Sequence, residues 1–215
     1  ARQYKLHGGN VPHDILLNSW EGVYFKVNQQ GMDQMMEAFS AMGGELFVMD
    51  DGWFGNKYPR NNGSSSLGDW EVCKEKLPGG IEGLLDSAKK YNIKFGLWIE
   101  PEMANTKSEL FEKHPDWILR IANRPLSTGR GKTQVVLDLT NPEVQDFVFG
   151  VVDNLMTKYP QIAYMKWDDN CSLLDYGSSY LPEDRQSHLY IEYQRGLNQV
   201  LERIRAKYPD LVMQA

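Results

Sequence analysis

Short apolar runs recur along the chain, and each is followed by a stretch with helical character. Runs such as Leu46–Met49 and Ile162–Met165 are apolar almost throughout, which is typical of parallel strands covered on both faces. The predicted strands lie at Ile15–Asn18 (with an extension to Phe25 left open), Glu45–Asp50, Lys94–Glu100, Gln134–Leu139, Ile162–Asp168 and Leu211–Ala215. The predicted helices lie at Met32–Met42, Ile81–Tyr91, Lys107–Lys113, Pro142–Lys158 and Glu183–Lys207.

Strands that alternate with helices predict βαβ units and a parallel sheet, either doubly wound or closed as a barrel. Two observations favour the barrel. The sequence has no glycine-rich phosphate turn of the Rossmann type, and barrel enzymes carry functional residues at the carboxyl ends of successive strands. We therefore predict an α/β fold, a (β/α)8 TIM barrel of which about six strands and five helices are present. Polar residues end the runs at Trp20-Glu21, Asp50-Asp51, Glu100 with Glu102, Asp138 and Asp168.

The predicted barrel is incomplete, because a full one needs eight strands and about 250 residues. We expect residues 15–215 to be a partial catalytic barrel whose last units are missing, and residues 1–14 to be an entry linker containing Gly8-Gly9 and Pro12. The first residue is not Met, which suggests a chain cut from something longer, and the sequence shows neither a signal peptide nor an apolar run long enough to span a bilayer. The segment Asn56–Leu67 is predicted to be a loop on the same face as Asp50 and Asp51.

Composition narrows the classes of function. With 23 basic and 29 acidic side chains the net charge is −6, which argues against nucleic-acid binding and against a basic membrane-surface module. The two cysteines, Cys73 and Cys171, are expected to be reduced thiols, which fits the cytoplasm but leaves the location open. Four scattered histidines and the absence of CxxC and HExxH spacings predict no metal ion, and we expect no other cofactor.

Acidic residues at strand ends are the first candidates for chemistry. In the strand that ends at Asp168, alternation puts Lys166 and Asp168 on one face, where the lysine would lower the pKa of the carboxyl group and keep it ionised as a nucleophile. A purely structural ion pair fits the same spacing. The adjacent acids Asp50 and Asp51 could bind a divalent cation, accept hydrogen bonds from sugar hydroxyls, or form a solvated loop pair.

Aromatic residues accompany these acids. Trp98 and Glu100 share a face at the end of one strand, and Trp20, Trp53 and Trp70 are expected near the same end of the sheet. Indole rings beside carboxylates are typical of carbohydrate sites, although one or two of the four would be core. The leading hypothesis is a barrel glycosidase with Asp168 as nucleophile. Non-catalytic carbohydrate binding competes with it, and metal-dependent barrel chemistry is disfavoured because no histidine lies at the strand ends.

Six motifs in register also give the chain a family resemblance. From about Leu16 to the last residue it resembles the catalytic domain of the microbial α-galactosidases of glycoside hydrolase family 36. The motifs are Asn18-Ser19-Trp20-Glu21, Asp50-Asp51-Gly52-Trp53-Phe54-Gly55, Leu67-Gly68-Asp69-Trp70, Trp98-Ile99-Glu100-Pro101-Glu102-Met103, His114-Pro115-Asp116-Trp117 and Lys166-Trp167-Asp168-Asp169-Asn170.

The resemblance implies a retaining hydrolase of terminal α-galactosides of the raffinose and melibiose type, acting by double displacement with Asp168 as nucleophile. The resemblance implies that no cofactor is needed and that the binding partner is an α-galactoside oligosaccharide. It leaves open whether the full-length protein forms homo-oligomers. The segment Asp169-Asn170-Cys171 departs from the family, in which Met-Asn-Arg is common at these positions. This departure would alter the pocket near the 2-position of the sugar. The residues implied to bind the sugar are Trp20, Asp50, Asp51, Trp98, Arg130, Lys166 and Asn170, of which Arg130 stands two positions from the family's usual arginine.

A retaining glycosidase also needs a second carboxyl group, about 5 to 5.5 Å from the nucleophile, as acid and then base. In the family that aspartate comes later than Ala215, so we expect it to lie outside this chain and the isolated 215 residues to be weak or inactive on natural substrates. Asp51, Asp69 or Glu102 could be suggested instead, but the resemblance gives them no such role. The alternatives that stay open are an α-N-acetylgalactosaminidase and a sugar-binding barrel without hydrolysis.

Overall fold

The structure is a computed structural model that describes residues 13–170, 172–173 and 175–215. Its strands are β1 (Leu16–Asn18), β2 (Leu46–Met49), β3 (Lys94–Ile99), β4 (Met103–Asn105), β5 (Gln134–Val136), β6 (Ile162–Trp167) and β7 (Val212–Gln214). Its α-helices are α1 (Trp20–Val23), α2 (Gln29–Ala41), α3 (Gly80–Lys90), α4 (Glu109–Lys113), α5 (Pro142–Lys158) and α6 (Leu189–Lys207). Three short 3-10 turns cover Pro115–Trp117, Arg130–Lys132 and Glu183–His188.

The main sheet has five strands in the order β1-β2-β3-β6-β7, and every neighbouring pair in it is parallel. Its central strands are the apolar runs: all four residues of β2 are buried, and so are the last five of β3. Helices α2 and α3 pack on each other, as do α5 and α6, and their apolar faces close over the sheet. The prediction of a parallel sheet with crossover helices is confirmed, and the chain has an α/β fold.

One predicted strand does not belong to this sheet. The run Gln134–Leu139 contributes only β5, which pairs antiparallel with β4 in a separate two-stranded sheet. Strand β3 pairs directly with β6, so the main sheet has five strands among the described residues, and the prediction that Gln134–Leu139 forms one of about six barrel strands is wrong. The cause is an excursion after β3: Pro101 cannot continue the ladder, and the chain turns back to place β4 against β5.

Asp138 ends this excursion and has a structural role. Its Oδ1 accepts hydrogen bonds from the backbone N–H and the hydroxyl of Thr140, and its Oδ2 accepts from the hydroxyl of Ser178. The side chain is 1% exposed. Asp138 therefore joins the start of α5 to the segment before α6, and is not one of the strand-end acids that approach a shared site.

Other boundaries differ less. The extension of the first strand to Phe25 is wrong, because the chain enters helix α1 two residues after β1 ends. The helix predicted at Glu183–Lys207 divides at His188 into a 3-10 turn and α6. Most of the proposed entry linker lies outside the described residues, although Asp14 pairs with Lys94 at 2.7 Å.

Candidate active site

Three acids stand at corresponding positions of adjacent strands. Asp50, Glu100 and Asp168 each come one residue after the last residue of β2, β3 and β6. Because these strands are parallel neighbours, their carboxyl ends meet at one edge of the sheet. The sequence-based prediction that Asp50 and Asp168 share a site is supported by this arrangement, and Glu100 lies between them.

The carboxylate of Asp168 is held by neutral donors. Its Oδ2 accepts from the indole N–H of Trp98 at 3.0 Å and from the side-chain amide of Asn170 at 2.7 Å. Its Oδ1 accepts from the backbone N–H of Asp169 at 3.1 Å, and its own N–H donates to the carbonyl of Ile99 at 2.8 Å. The side chain is only partly buried, so the carboxylate is oriented but remains accessible.

Lys166 pairs with Asp50. The alternation predicted for β6 is confirmed, since the indole N–H of Trp167 donates to Glu102 while Lys166 reaches the site. The ammonium, however, makes its ion pair with Asp50 Oδ2 at 2.9 Å. The expected pairing of Lys166 with Asp168 is wrong, because the long lysine side chain reaches past β3 to the acid that ends β2.

Asp50 and Asp51 are both nearly buried, at 3% and 2% exposure. Asp50 Oδ2 also accepts from the side-chain amide of Asn18 at 2.6 Å. Both oxygens of Asp51 accept from Arg60, Oδ1 from Nε at 2.9 Å and Oδ2 from Nη2 at 2.8 Å. Burial raises the pKa of Asp51, opposed by the hydrogen bonds and charge of Arg60, and the charge of Arg130 also lowers it.

Arg60 is a site residue that the sequence reasoning missed. It is 0% exposed, and besides Asp51 its Nη1 donates to the carbonyl of Ser65 and to Asn105. Its own carbonyl accepts from the ammonium of Lys76, which also donates to the carbonyls of Phe25 and Gly52. The available signal was that Arg60 is the one arginine in the loop predicted to lie beside the acid pair.

Glu100 is the second residue that the sequence reasoning left without a role. Its Oε1 accepts from the backbone N–H of Asn170 at 2.6 Å and from the side-chain amide of Gln134 at 2.9 Å. Its Oε2 is buried without a hydrogen-bond partner among the described residues. Burial, followed by the negative charge of Asp168, raises the pKa of Glu100 to about 7.

The tryptophans divide between core and site. Trp53 and Trp98 are 0% and 1% exposed, and the rings of Trp98 and Phe54 lie 7° from parallel. Trp98 thus serves as core and as a hydrogen-bond donor to Asp168. Trp70 joins this cluster and is partly buried. Trp20 is also partly buried, and its backbone N–H donates to the side-chain oxygen of Asn18, whose amide contacts Asp50.

The other nearby acids have structural partners. Asp69 accepts from the backbone N–H groups of Glu109 and Leu110 at the start of α4. Glu102 accepts from the indole of Trp167 and, at 2.6 Å, from the hydroxyl of Tyr193. Within the part of the chain that the structure describes, no group of three or more His, Cys, Asp or Glu side chains could hold a metal ion. No helix in that part is long and apolar enough to cross a membrane.

A family model described as melibiase matches residues 4–215. The chain belongs to the melibiase family. The resemblance to family 36 α-galactosidases drawn from the six motifs is confirmed. The α-galactosidase AgaA of Geobacillus stearothermophilus is 40% identical over 201 residues, which make up 94% of this chain and 27% of AgaA.

Solved structures agree with the sequence match. The crystal structure of AgaA superposes with a TM-score of 0.87 at 39% identity, and that of the Lactobacillus brevis α-galactosidase with a TM-score of 0.90 at 35% identity. The chain covers 27% of each of those two proteins, and they cover 94% and 95% of it. Variants of AgaA have been solved with raffinose and with stachyose. The chain therefore spans about a quarter of the length of these relatives.

Proposed function

We propose that the protein hydrolyses terminal α-galactosides with retention of configuration, and that Asp168 is the nucleophile. The observation that carries this is the state of the Asp168 carboxylate, which is partly exposed at the end of β6 and oriented by Trp98 and Asn170. Melibiase membership supplies the reaction class, and the raffinose and stachyose complexes of AgaA support an α-galactosyl oligosaccharide as substrate. We also propose that the five parallel strands are part of a (β/α)8 barrel.

In this mechanism Asp168 attacks the anomeric carbon as the bond to the leaving oxygen breaks. The products of the first step are a covalent galactosyl ester on Asp168 and an alcohol that takes a proton from an acid. Water then attacks the same carbon, gives a proton to the conjugate base and releases galactose. Asp69 and Glu102 already have structural partners, at the start of α4 and at Trp167 and Tyr193, and the family resemblance implies that the acid comes from sequence outside these 215 residues.

The remaining residues would bind the sugar. Asp50 and Lys166 offer an acceptor and a donor at the carboxyl edge of the sheet, as vicinal hydroxyls require. Asp51 keeps lone pairs that Arg60 does not occupy, and Arg130 lies close enough to influence its pKa. Trp20 supplies a partly exposed ring for the sugar C–H face, and Trp98 acts chiefly through its hydrogen bond to Asp168. Asn170, which is exposed, would contact the sugar from the end of β6.

The experiment is to incubate the protein with 5-fluoro-α-D-galactosyl fluoride, measure the intact mass and map the labelled peptide. Fluoride leaves without acid assistance, so the first step does not depend on an acid partner. We expect one galactosyl-sized adduct on Asp168, and none in D168N. An adduct on another residue, or no adduct from folded protein, would refute the proposal. If only the N-acetylgalactosamine analogue labels the protein, the substrate would be an α-N-acetylgalactosaminide and not an α-galactoside.

A further inference from the structure

We propose that Glu100 is a positioning residue that acts as a neutral carboxylic acid, holding the main chain of Asn170 and through it the carboxylate of Asp168. This rests on the proposed role of Asp168 as nucleophile. The chain of contacts is continuous: Glu100 Oε1 accepts from the Asn170 N–H at 2.6 Å, and the Asn170 side chain donates to Asp168 Oδ2 at 2.7 Å.

The way that Glu100 is bonded favours the protonated form. Both donors converge on Oε1, as expected for the carbonyl oxygen of an acid, while Oε2 is buried without a partner among the described residues. The side-chain oxygen of Gln134 is also buried and unpartnered. As a carboxylate, Glu100 would place a charge at a fully buried position with one oxygen unpartnered among the described residues, which is costly. One added proton removes the charge and turns Oε2 into a donor.

The electrostatic surroundings agree with this. Burial, together with the negative charge of Asp168, raises the pKa of Glu100 to about 7. Its hydrogen-bond partners, Asn170 and Gln134, are neutral. A neutral Glu100 therefore leaves the negative charge of this part of the site on Asp168.

A role as proton donor to the leaving group is the competing explanation, because a raised pKa is also what a general acid requires. Geometry argues against it. Glu100 is 0% exposed, and its free oxygen is buried, so it cannot reach a glycosidic oxygen bound over Asp168. The two roles predict different responses to substitution, which makes them separable.

The test compares E100Q, which keeps a neutral acceptor at Oε1, with E100A, which removes it. The readout is the rate at which 5-fluoro-α-D-galactosyl fluoride labels Asp168 in folded protein. We expect E100Q to stay within about threefold of the unsubstituted protein and E100A to fall at least about 30-fold, as loss of an acceptor for two buried donors implies. E102Q, at a buried glutamate on the other side of β6, controls for substitution of a buried acid and should stay within about threefold.

Two further measurements settle the protonation state and the role. The infrared spectrum at pH 6, taken as unsubstituted protein minus E100Q, should contain the band of a protonated carboxyl group, and that band should weaken as pH rises to 8. Where the protein hydrolyses aryl α-galactosides, the E100Q substitution should change the hydrolysis rates of the dinitrophenyl and phenyl α-galactosides by the same factor. An E100Q that falls as far as E100A, a missing band, or a selective loss on the phenyl substrate would overturn the proposal.

Failure of the two proposals can be told apart. If the unsubstituted protein does not acquire the label on Asp168, the nucleophile assignment fails and Glu100 has nothing to position. If Asp168 is labelled and E100A reacts as fast as the unsubstituted protein, only the inference about Glu100 fails. Should E100A not fold, E100Q and the infrared band still decide the outcome.

Discussion

The acids that end β2 and the acid that ends β6 differ in how their charge is compensated. Asp50 has the ammonium of Lys166 at 2.9 Å, and Asp51 has the guanidinium of Arg60 on both oxygens. The hydrogen bonds that the described residues give to Asp168 come from an indole, an amide and a backbone N–H. The charge at β2 is thus neutralised in place, whereas the charge of Asp168 is oriented but not neutralised.

This contrast matches two different tasks. Recognition of sugar hydroxyls needs fixed acceptors and donors, and a neutralised pair provides both without a net charge. A glycosidase transition state develops positive charge at the anomeric carbon, so the carboxylate beside it is most effective when no cation is paired with it. In the proposed function, the acids at the end of β2 form the binding side and the acid at the end of β6 forms the reacting side.

The largest expected effect is the loss of galactosyl transfer when Asp168, on the reacting side, is substituted. D168N keeps the size of the side chain and most of its hydrogen bonds but removes the negative charge of the proposed nucleophile. We expect galactosyl transfer from an activated α-galactoside to fall by at least about 10³-fold with little change in unfolding free energy. Initial rates and urea unfolding measure the two quantities. D116N, at an exposed acid in the 3-10 turn after α4, should leave both unchanged, and equal losses in the two variants would contradict the assignment.

On the binding side, the largest expected effect of a substitution is a loss of folding stability. R60M leaves Asp51 buried at 2% exposure without its cation, and loss of one partner of a buried pair costs about 3 to 5 kcal/mol. Urea unfolding should show this loss, while R124M at an exposed arginine should change the unfolding free energy by less than about 0.5 kcal/mol. If R60M and R124M have the same free energy of unfolding, the ion pair between Arg60 and Asp51 does not stabilise the fold.

The pH dependence of stability sharpens the comparison. The pKa of Glu100 is raised from 4.5 to about 7 in the folded protein, so between these values the folded chain binds more protons than the unfolded one. Stability from this group is complete below pH 4.5 and is lost as pH rises to about 7, by about 3 kcal/mol. The raised pKa values of Asp51 and Glu102 act in the same direction.

Unfolding free energies measured from pH 4.5 to 7.5 test this, with E100Q as the matched variant. Its curve should be flatter than that of the unsubstituted protein, because the amide cannot ionise. Parallel curves for the two proteins would mean that Glu100 titrates normally in the folded state.

The smallest expected effect concerns affinity. K166M removes the ammonium that pairs with Asp50 and, in our proposal, donates to the sugar. Losing a hydrogen bond from a charged group weakens galactose binding by about 10- to 100-fold. Calorimetric titration with galactose would measure it, with K89M on the exposed surface of α3 as control. Unchanged affinity would remove Lys166 from the binding side.

Much of the fold could be predicted, because continuous apolar runs and strand alternation carry information within a few residues. This explains the correct placement of β2, β3 and β6 and of Lys166 opposite Trp167. The run at Gln134–Leu139 was wrongly assigned to the parallel sheet, because a short buried strand has the same sequence pattern whether its neighbour is parallel or antiparallel. Its partner β4 has only three residues, too few to show a period.

The acids of the site were predictable from their positions at strand ends, but their partners were not. Arg60 reaches Asp51 only because the loop between β2 and α3 folds back, and the pairing of Lys166 with Asp50 depends on the order of the strands. The surroundings of Glu100 depend on its burial and on hydrogen bonds from Gln134 and Asn170, which are 34 and 70 residues away along the chain.

The most direct test of the reacting side is azide rescue of D168G with α-galactosyl fluoride as donor. Removing the carboxylate opens the space that it occupied on the face of the sugar opposite the leaving group, and azide can enter there. We predict that azide restores turnover and that proton NMR identifies the product as β-galactosyl azide. A product of α configuration, or no rescue in a folded variant that still binds galactose, would contradict the assignment of Asp168 as the nucleophile.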